Sequence, residues 1–173
     1  MSDNATRVTG WPPHRVTGVD VWPFRMHGGE AQFLLMHRVA TSDEPPFWQG
    51  VSGWIEADEP PHLTALRELR EETGLDGEAL FSVDAVFDLY KWQRGTVETI
   101  VPFAVRVADG VDPVLSDEHD DWRWESVSTA LELLPYEPQR AAVRRIAADL
   151  LERPHSAHLW QIASAPEDAE KTR

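Results

Sequence analysis

Two prolines and a glycine bracket the segment that most restricts this chain. Pro60 and Pro61 stand where a helix would begin, because proline is tolerated in the first turn, whose N–H groups lack partners anyway. Gly74 stands where a left-handed residue closes a helix. The spacing therefore predicts a helix over residues 61–73. At ~100° per residue, Glu68, Glu71 and Glu72 share about a third of its circumference, with Leu63, Leu66 and Leu69 on the opposite side. One face is expected to pack on a core and the other to present carboxylates.

Such a carboxylate stripe opposes helix stability. Like charges at i,i+3 and i,i+4 repel by about 0.2–0.5 kcal/mol per pair. The last turn disfavours anions by a further ~0.3–1 kcal/mol each through the helix dipole. A divalent cation reverses both penalties, and clustered hard oxygen ligands suit Mg²⁺ or Mn²⁺ rather than Zn²⁺. A solvated acidic face is the ordinary meaning of a charge run, and here the wider spacing decides against it.

Gly53, Glu59, Arg67, Glu68, Leu69, Glu71, Glu72, Gly74 and Leu75 follow the pattern Gly-x5-Glu-x7-Arg-Glu-Φ-x-Glu-Glu-x-Gly-Φ, with Φ apolar. Chance would produce the seven fixed residue types in this chain with a probability on the order of one in a million. The segment resembles the box of the Nudix hydrolases. The resemblance implies an α/β fold, a Nudix-type α/β/α sandwich with a mixed β-sheet between helices. It also implies that Glu68, Glu71 and Glu72 are metal ligands, joined by the backbone carbonyl of Ser52, and that Arg67 and Glu59 fix the preceding loop against the helix. Asp58 departs from the pattern, since many members carry glycine before the glutamate.

Outside the box, Phe47-Trp48-Gln49-Gly50-Val51-Ser52-Gly53, together with Asp117-Glu118-His119 ahead of Trp122-x-Trp124, resembles the branch containing bacterial dihydroneopterin triphosphate diphosphatases and dinucleoside-polyphosphate hydrolases. That similarity makes Glu118 a candidate extra metal ligand or general base, the alternative being an acidic loop. Glu98 is the next such candidate. Arg38, Lys91 and Arg94 are candidate phosphate clamps or ordinary surface cations. Trp48, Tyr90 and Trp92 could stack a ring or fill the core. His37 and His119 read as hydrogen-bonded structural residues, because no second His or Cys stands at zinc-ligand spacing.

The remaining pattern is one of strands. Residues 16–24 and 31–38 form an expected hairpin about His27-Gly28-Gly29-Glu30, and residues 47–53 a short strand entering a Gly-containing turn. Residues 80–89 and 96–107 are two further expected strands, and 122–125 another. Residues 138–153 carry apolar side chains at helical spacing. These divide the chain into a flexible lead-in over residues 1–14, one Nudix hydrolase domain over 15–153 and a polar tail over 154–173.

Composition limits the partners. A formal net charge of −14 repels phosphate backbones, so long nucleic acid is not an expected partner, whereas a small phosphorylated substrate is, once a cation inverts the local field. The absence of cysteine excludes disulfides and thiol chemistry. No apolar run approaches the ~20 residues of a membrane span, and the first ten residues lack a signal-peptide layout, so no membrane partner and a cytoplasmic location are expected. The resemblance is also compatible with a homodimer. It implies Mg²⁺-dependent hydrolysis of a diphosphate linkage by metal-activated water, with Glu68 or Glu118 accepting the proton. The alternative from another class is a catalytically silent Nudix-fold module that senses a nucleotide.

Overall fold

The computed structural model describes residues 14–42 and 44–164. The lead-in over residues 1–14 falls outside these except for His14, as do residues 165–173 of the expected tail.

Among the described residues, nine strands form one sheet: β1 (His14–His27), β2 (Glu30–Arg38), β3 (Phe47–Gln49), β4 (Val51–Trp54), β5 (Gly77–Ser82), β6 (Phe87–Lys91), β7 (Thr96–Val107), β8 (His119–Ser126) and β9 (Gln161–Ser164). Its spine runs β3-β2-β1-β7-β5-β9, with β4 on β1, β6 on β7 and β8 on β2. The sheet is mixed, because β1 and β7 lie parallel while the other pairs are antiparallel. Three helices are α1 (Pro61–Thr73), α2 (Val127–Leu133) and α3 (Glu137–Ile146), the last continuing into a π-type turn over Ala147–Leu151.

The central strands β1, β2, β5 and β7 carry buried runs, and period-two alternation sorts their side chains into two cores. Val19, Val21, Leu34, Met36, Phe103 and Val105 pack against Ala65 and Leu69 of α1. Trp22, Phe24, Phe33, Leu35 and Phe81 pack against Ala142, Val143 and Ile146 of α3 and Ala130 of α2. Helices on both faces of one sheet make an α/β/α sandwich, as expected. None of the helices among the described residues is long and apolar enough to cross a membrane.

Several local expectations need correction. Residues 80–89 form two strands, because the chain turns at residues 83–86, where Asp84 has φ 52° and its N–H bonds to the Ser82 hydroxyl. Residues 47–53 also divide, at Gly50, with β3 pairing β2 and β4 pairing β1. The helix expected over 138–153 ends as an α-helix at Ile146, and α2 lies in a stretch with no expected element. Leu63 does not face the core: it is 48% exposed, and the buried stripe of α1 is Thr64, Ala65, Leu69, Glu72 and Thr73. Within the expected polar tail, Gln161–Ser164 forms β9 against β5.

Candidate active site

α1 begins and ends where its prolines and glycine place it. Pro60 is the N-cap, and Gly74 adopts φ 66° with its N–H bonded to the Arg70 carbonyl. The β7–β8 connection then satisfies the carbonyls a helix end leaves open, with Val114 N–H donating to Thr73 O and Ser116 N–H to Glu72 O. The C-terminal end of the carboxylate-bearing helix is thereby tied to the β7–β8 connection.

The loop from β4 to α1 is organised by Glu59 and Arg67. All five Arg67 N–H groups find acceptors: two bonds of 3.0 and 2.9 Å go to Glu59, one of 3.0 Å to Trp54 O, and one each to Glu68 (2.8 Å) and Glu71 (2.9 Å). Thr64 adds a hydroxyl bond of 2.8 Å to Glu59. These donors, the guanidinium first, hold the Glu59 carboxyl down at about 2. Asp58 in the same loop has φ 64°, which accounts for glycine being frequent there in the family pattern.

Glu68 and Glu72 point into a cleft of about 600 Å³, bordered also by Arg38, Ser52, Tyr90, Lys91, Glu98 and Glu118. Glu68 reaches it across Gly53, whose missing side chain leaves room for the carboxylate. Glu72 is 7% exposed, and its Oε2 has no hydrogen-bond partner. Burial, and then the charges of Glu68 and Glu118, push its carboxyl up to about 8, against the nearby Arg38 and the Ser52 N–H. Burial also raises the Glu68 carboxyl, with Arg67 opposing. Glu118 lies at the cleft, 59% exposed, with Arg38 Nη1 3.0 Å away.

Among the described residues, no three acidic or imidazole groups already converge as a cation shell. Arg67 explains why, since its Nη1 draws Glu68 and Glu71 to itself, and Glu71 is turned out of the cleft. The donor set nevertheless fits a hard divalent cation. An orphaned, buried carboxylate oxygen beside two further carboxylates is costly without a positive partner.

The other candidates separate. Arg38, Tyr90 and Lys91 border the cleft, as does Glu98, a buried residue with one oxygen bonded to Arg94 and Thr96. Arg94 lies outside, over the Trp54 ring at 5.4 Å and 3.2 Å from Glu98. Trp48 also lies outside, its ring 5.1 Å from that of His37 and beneath Arg123 at 4.6 Å. Its neighbour Phe47 borders the cleft instead, edge-on to Tyr136 at 5.4 Å. Trp92 is exposed at the tip of the β6–β7 hairpin. His37 bonds to Asp120 at 2.6 Å, and His119 is buried against Gln49.

Sequence reasoning missed Asp20. It lies on β1 at the cleft, and burial raises its carboxyl to about 6, with Lys91 opposing. An acidic residue between Val19 and Val21, inside a strand apolar on both faces, was the available signal.

A family model described as the NUDIX domain matches residues 14–149. A protein of Myxococcus xanthus named octanoyltransferase is 37% identical over 152 residues, which is 84% of this chain. This chain spans only 40% of that relative, so the name belongs to a much longer polypeptide. A dihydroneopterin triphosphate diphosphatase of Haemophilus influenzae is 34% identical over 120 residues, covering 62% of this chain and 75% of the relative. Among solved structures, a protein of Listeria monocytogenes described as a NUDIX hydrolase superposes with a TM-score of 0.67 at 27% identity, covering 79% of this chain and 94% of that one. A sequence match through nearly all the described residues and a shared fold give the same answer: the chain belongs to the Nudix hydrolase family.

Proposed function

We propose that the protein hydrolyses a diphosphate linkage in a small phosphorylated metabolite, with Mg²⁺, or Mn²⁺ in its place, held by Glu68, Glu72 and Glu118 and the Ser52 carbonyl, and with Glu71 completing the set on leaving its Arg67 contact. The observation that carries this reading is the unpartnered, buried Oε2 of Glu72 beside Glu68 at the cleft. A cation bound there supplies charge neutralisation on the phosphate oxygens and water of lowered pKa.

The chain's own groups divide the remaining work. Arg38 and Lys91 border the cleft and suit phosphate oxygens. Phe47 and Tyr90 offer rings to the non-phosphate part of the substrate. Glu118 is the proton acceptor of the two candidates because it is the more exposed at the cleft, 59% against 13% for Glu68; each has an arginine beside it, Arg38 and Arg67 respectively. Water oxygen forms a bond to phosphorus, its proton passes to the Glu118 carboxylate, and the bridging P–O bond breaks with its electron pair leaving on the departing phosphate. Arg67 and Glu59 keep the loop and helix in register during the reaction.

Dihydroneopterin triphosphate is the first substrate to test, on the strength of the Haemophilus influenzae relative. Purified protein with Mg²⁺ is incubated with that compound, nucleoside triphosphates, dinucleoside polyphosphates and sugar nucleotides, and products are identified by mass spectrometry. Pyrophosphate and the pterin monophosphate are the expected products. Cleavage of a dinucleoside polyphosphate alone would move the substrate to that class. No turnover of any compound would remove the enzymatic reading in favour of a silent sensing module.

A further inference from the structure

Two buried polar side chains outside the box, Gln49 and His119, lie behind Glu72, with the half-buried Ser52 beside them. Gln49 ends β3, His119 begins β8, and the imidazole side chain is 0% exposed. Gln49 Nε2 lies 3.2 Å from His119 Nε2 and 3.4 Å from Ser52 Oγ. An amide nitrogen only donates, so His119 Nε2 accepts, and the single proton of the neutral ring resides on Nδ1. Nδ1 faces Glu72 Oε2 at 3.9 Å, and neither atom has another partner.

The backbone holds this spacing. Ser116 donates its N–H to the Glu72 carbonyl at 3.1 Å and accepts the His119 N–H at 3.3 Å, so one turn ties both residues together. A bulge in the β2–β8 pairing, where His37 faces Asp121 and Arg38 faces His119, leaves Asp120 as the extra residue. The bulge lets His119 turn inward while Asp120 reaches His37 outside.

We propose that His119, oriented by Gln49, is a positioning residue that presents the Glu72 carboxylate to a divalent cation. The proposal rests on the reading of Glu72 as a cation ligand. At 3.9 Å the pair stands just outside hydrogen-bond range, so a small rotation of the carboxylate closes the bond and fixes its orientation. Hydrogen-bonding partners of this kind around ligating carboxylates typically govern metal affinity by about tenfold to a hundredfold.

The test is a Mn²⁺ titration followed by electron paramagnetic resonance on the wild type, His119→Phe and His119→Asn. Phenylalanine keeps the ring volume without its nitrogens, and asparagine restores a donor near the Nδ1 position. The expected result is about a tenfold to hundredfold weaker Mn²⁺ affinity for His119→Phe, largely recovered in His119→Asn. Equal affinity in His119→Phe and wild type overturns the proposal while leaving the cation reading intact. No Mn²⁺ binding by the wild type overturns both. A second measurement needs no variant: ¹⁵N resonances of the wild-type imidazole should show the proton on Nδ1, and a proton on Nε2 would contradict the arrangement.

Discussion

Gly53 and Glu68 are packed so closely that a Cβ on Gly53 would stand 1.9 Å from the carboxyl carbon of Glu68. No real Cβ contact is that short, and Gly53 is tied to its neighbours by the pairing of β4 with Val19 on β1. The first residue of the box is therefore glycine because a carboxylate occupies the space a side chain would take.

Gly53→Ala should displace Glu68 and lower kcat by about a hundredfold or more, as misplaced catalytic geometry commonly does. The fold should survive, since the displaced group borders an open cleft. Steady-state kinetics alongside circular dichroism separate the two effects, and an alanine variant with wild-type kcat would contradict the packing argument.

Glu72→Gln should abolish turnover and yet stabilise the cation-free protein at pH 8. A carboxylate raised from 4.5 to about 8 keeps its proton in the folded state while the unfolded chain has lost it. Folded protein then binds more protons, so this group makes stability fall as pH rises from about 4.5 to 8. Replacing the titrating carboxyl removes this proton linkage and should recover about 1–3 kcal/mol, the scale of an unpaired buried group. Thermal melts in EDTA at pH 5.5 and pH 8 give the comparison, and a glutamine variant less stable than wild type at pH 8 would count against it.

Glu59 has the opposite sign. Its carboxyl is held at about 2 rather than 4.5 by the Arg67 guanidinium, so the pair's contribution is present above pH 4.5 and is lost as pH falls toward 2. Wild-type melting temperature should therefore fall more steeply across that window than that of Glu59→Gln. Parallel slopes would show that the pair adds nothing to acid resistance.

Phe47 and Trp48 are neighbours with different surroundings. Phe47→Ala should raise KM by about tenfold, the scale of one lost ring contact, whereas Trp48→Phe should leave KM unchanged because its ring is packed between His37 and Arg123. A KM effect from Trp48 and none from Phe47 would reverse the assignment of the cleft wall.

How much the sequence disclosed depended on distance along the chain. α1 was legible to the residue because its signals are local: prolines at the start, a glycine at the end and carboxylates at helical spacing. The hairpin strands β1 and β2 were legible for the same reason. Leu63 was misread because spacing alone gives a circumference without saying where the buried arc is centred, and the sheet centred it on Ala65, Leu69 and Glu72. The pairing of Arg38 with Glu118, the inward turn of His119 and the cleft position of Asp20 all depend on strands joined across long sequence separations. Trp48 and Phe47 could not be told apart until the partners of β3 were known.

The proposed function puts a cation between the carboxylates of Glu68 and Glu72. Crystals grown with Mn²⁺ test it through anomalous diffraction. Density within about 2.2 Å of carboxylate oxygens from both residues, and its loss in Glu72→Gln, is the predicted result. Mn²⁺ bound elsewhere, with none at these two carboxylates even when a diphosphate compound occupies the cleft, would contradict it.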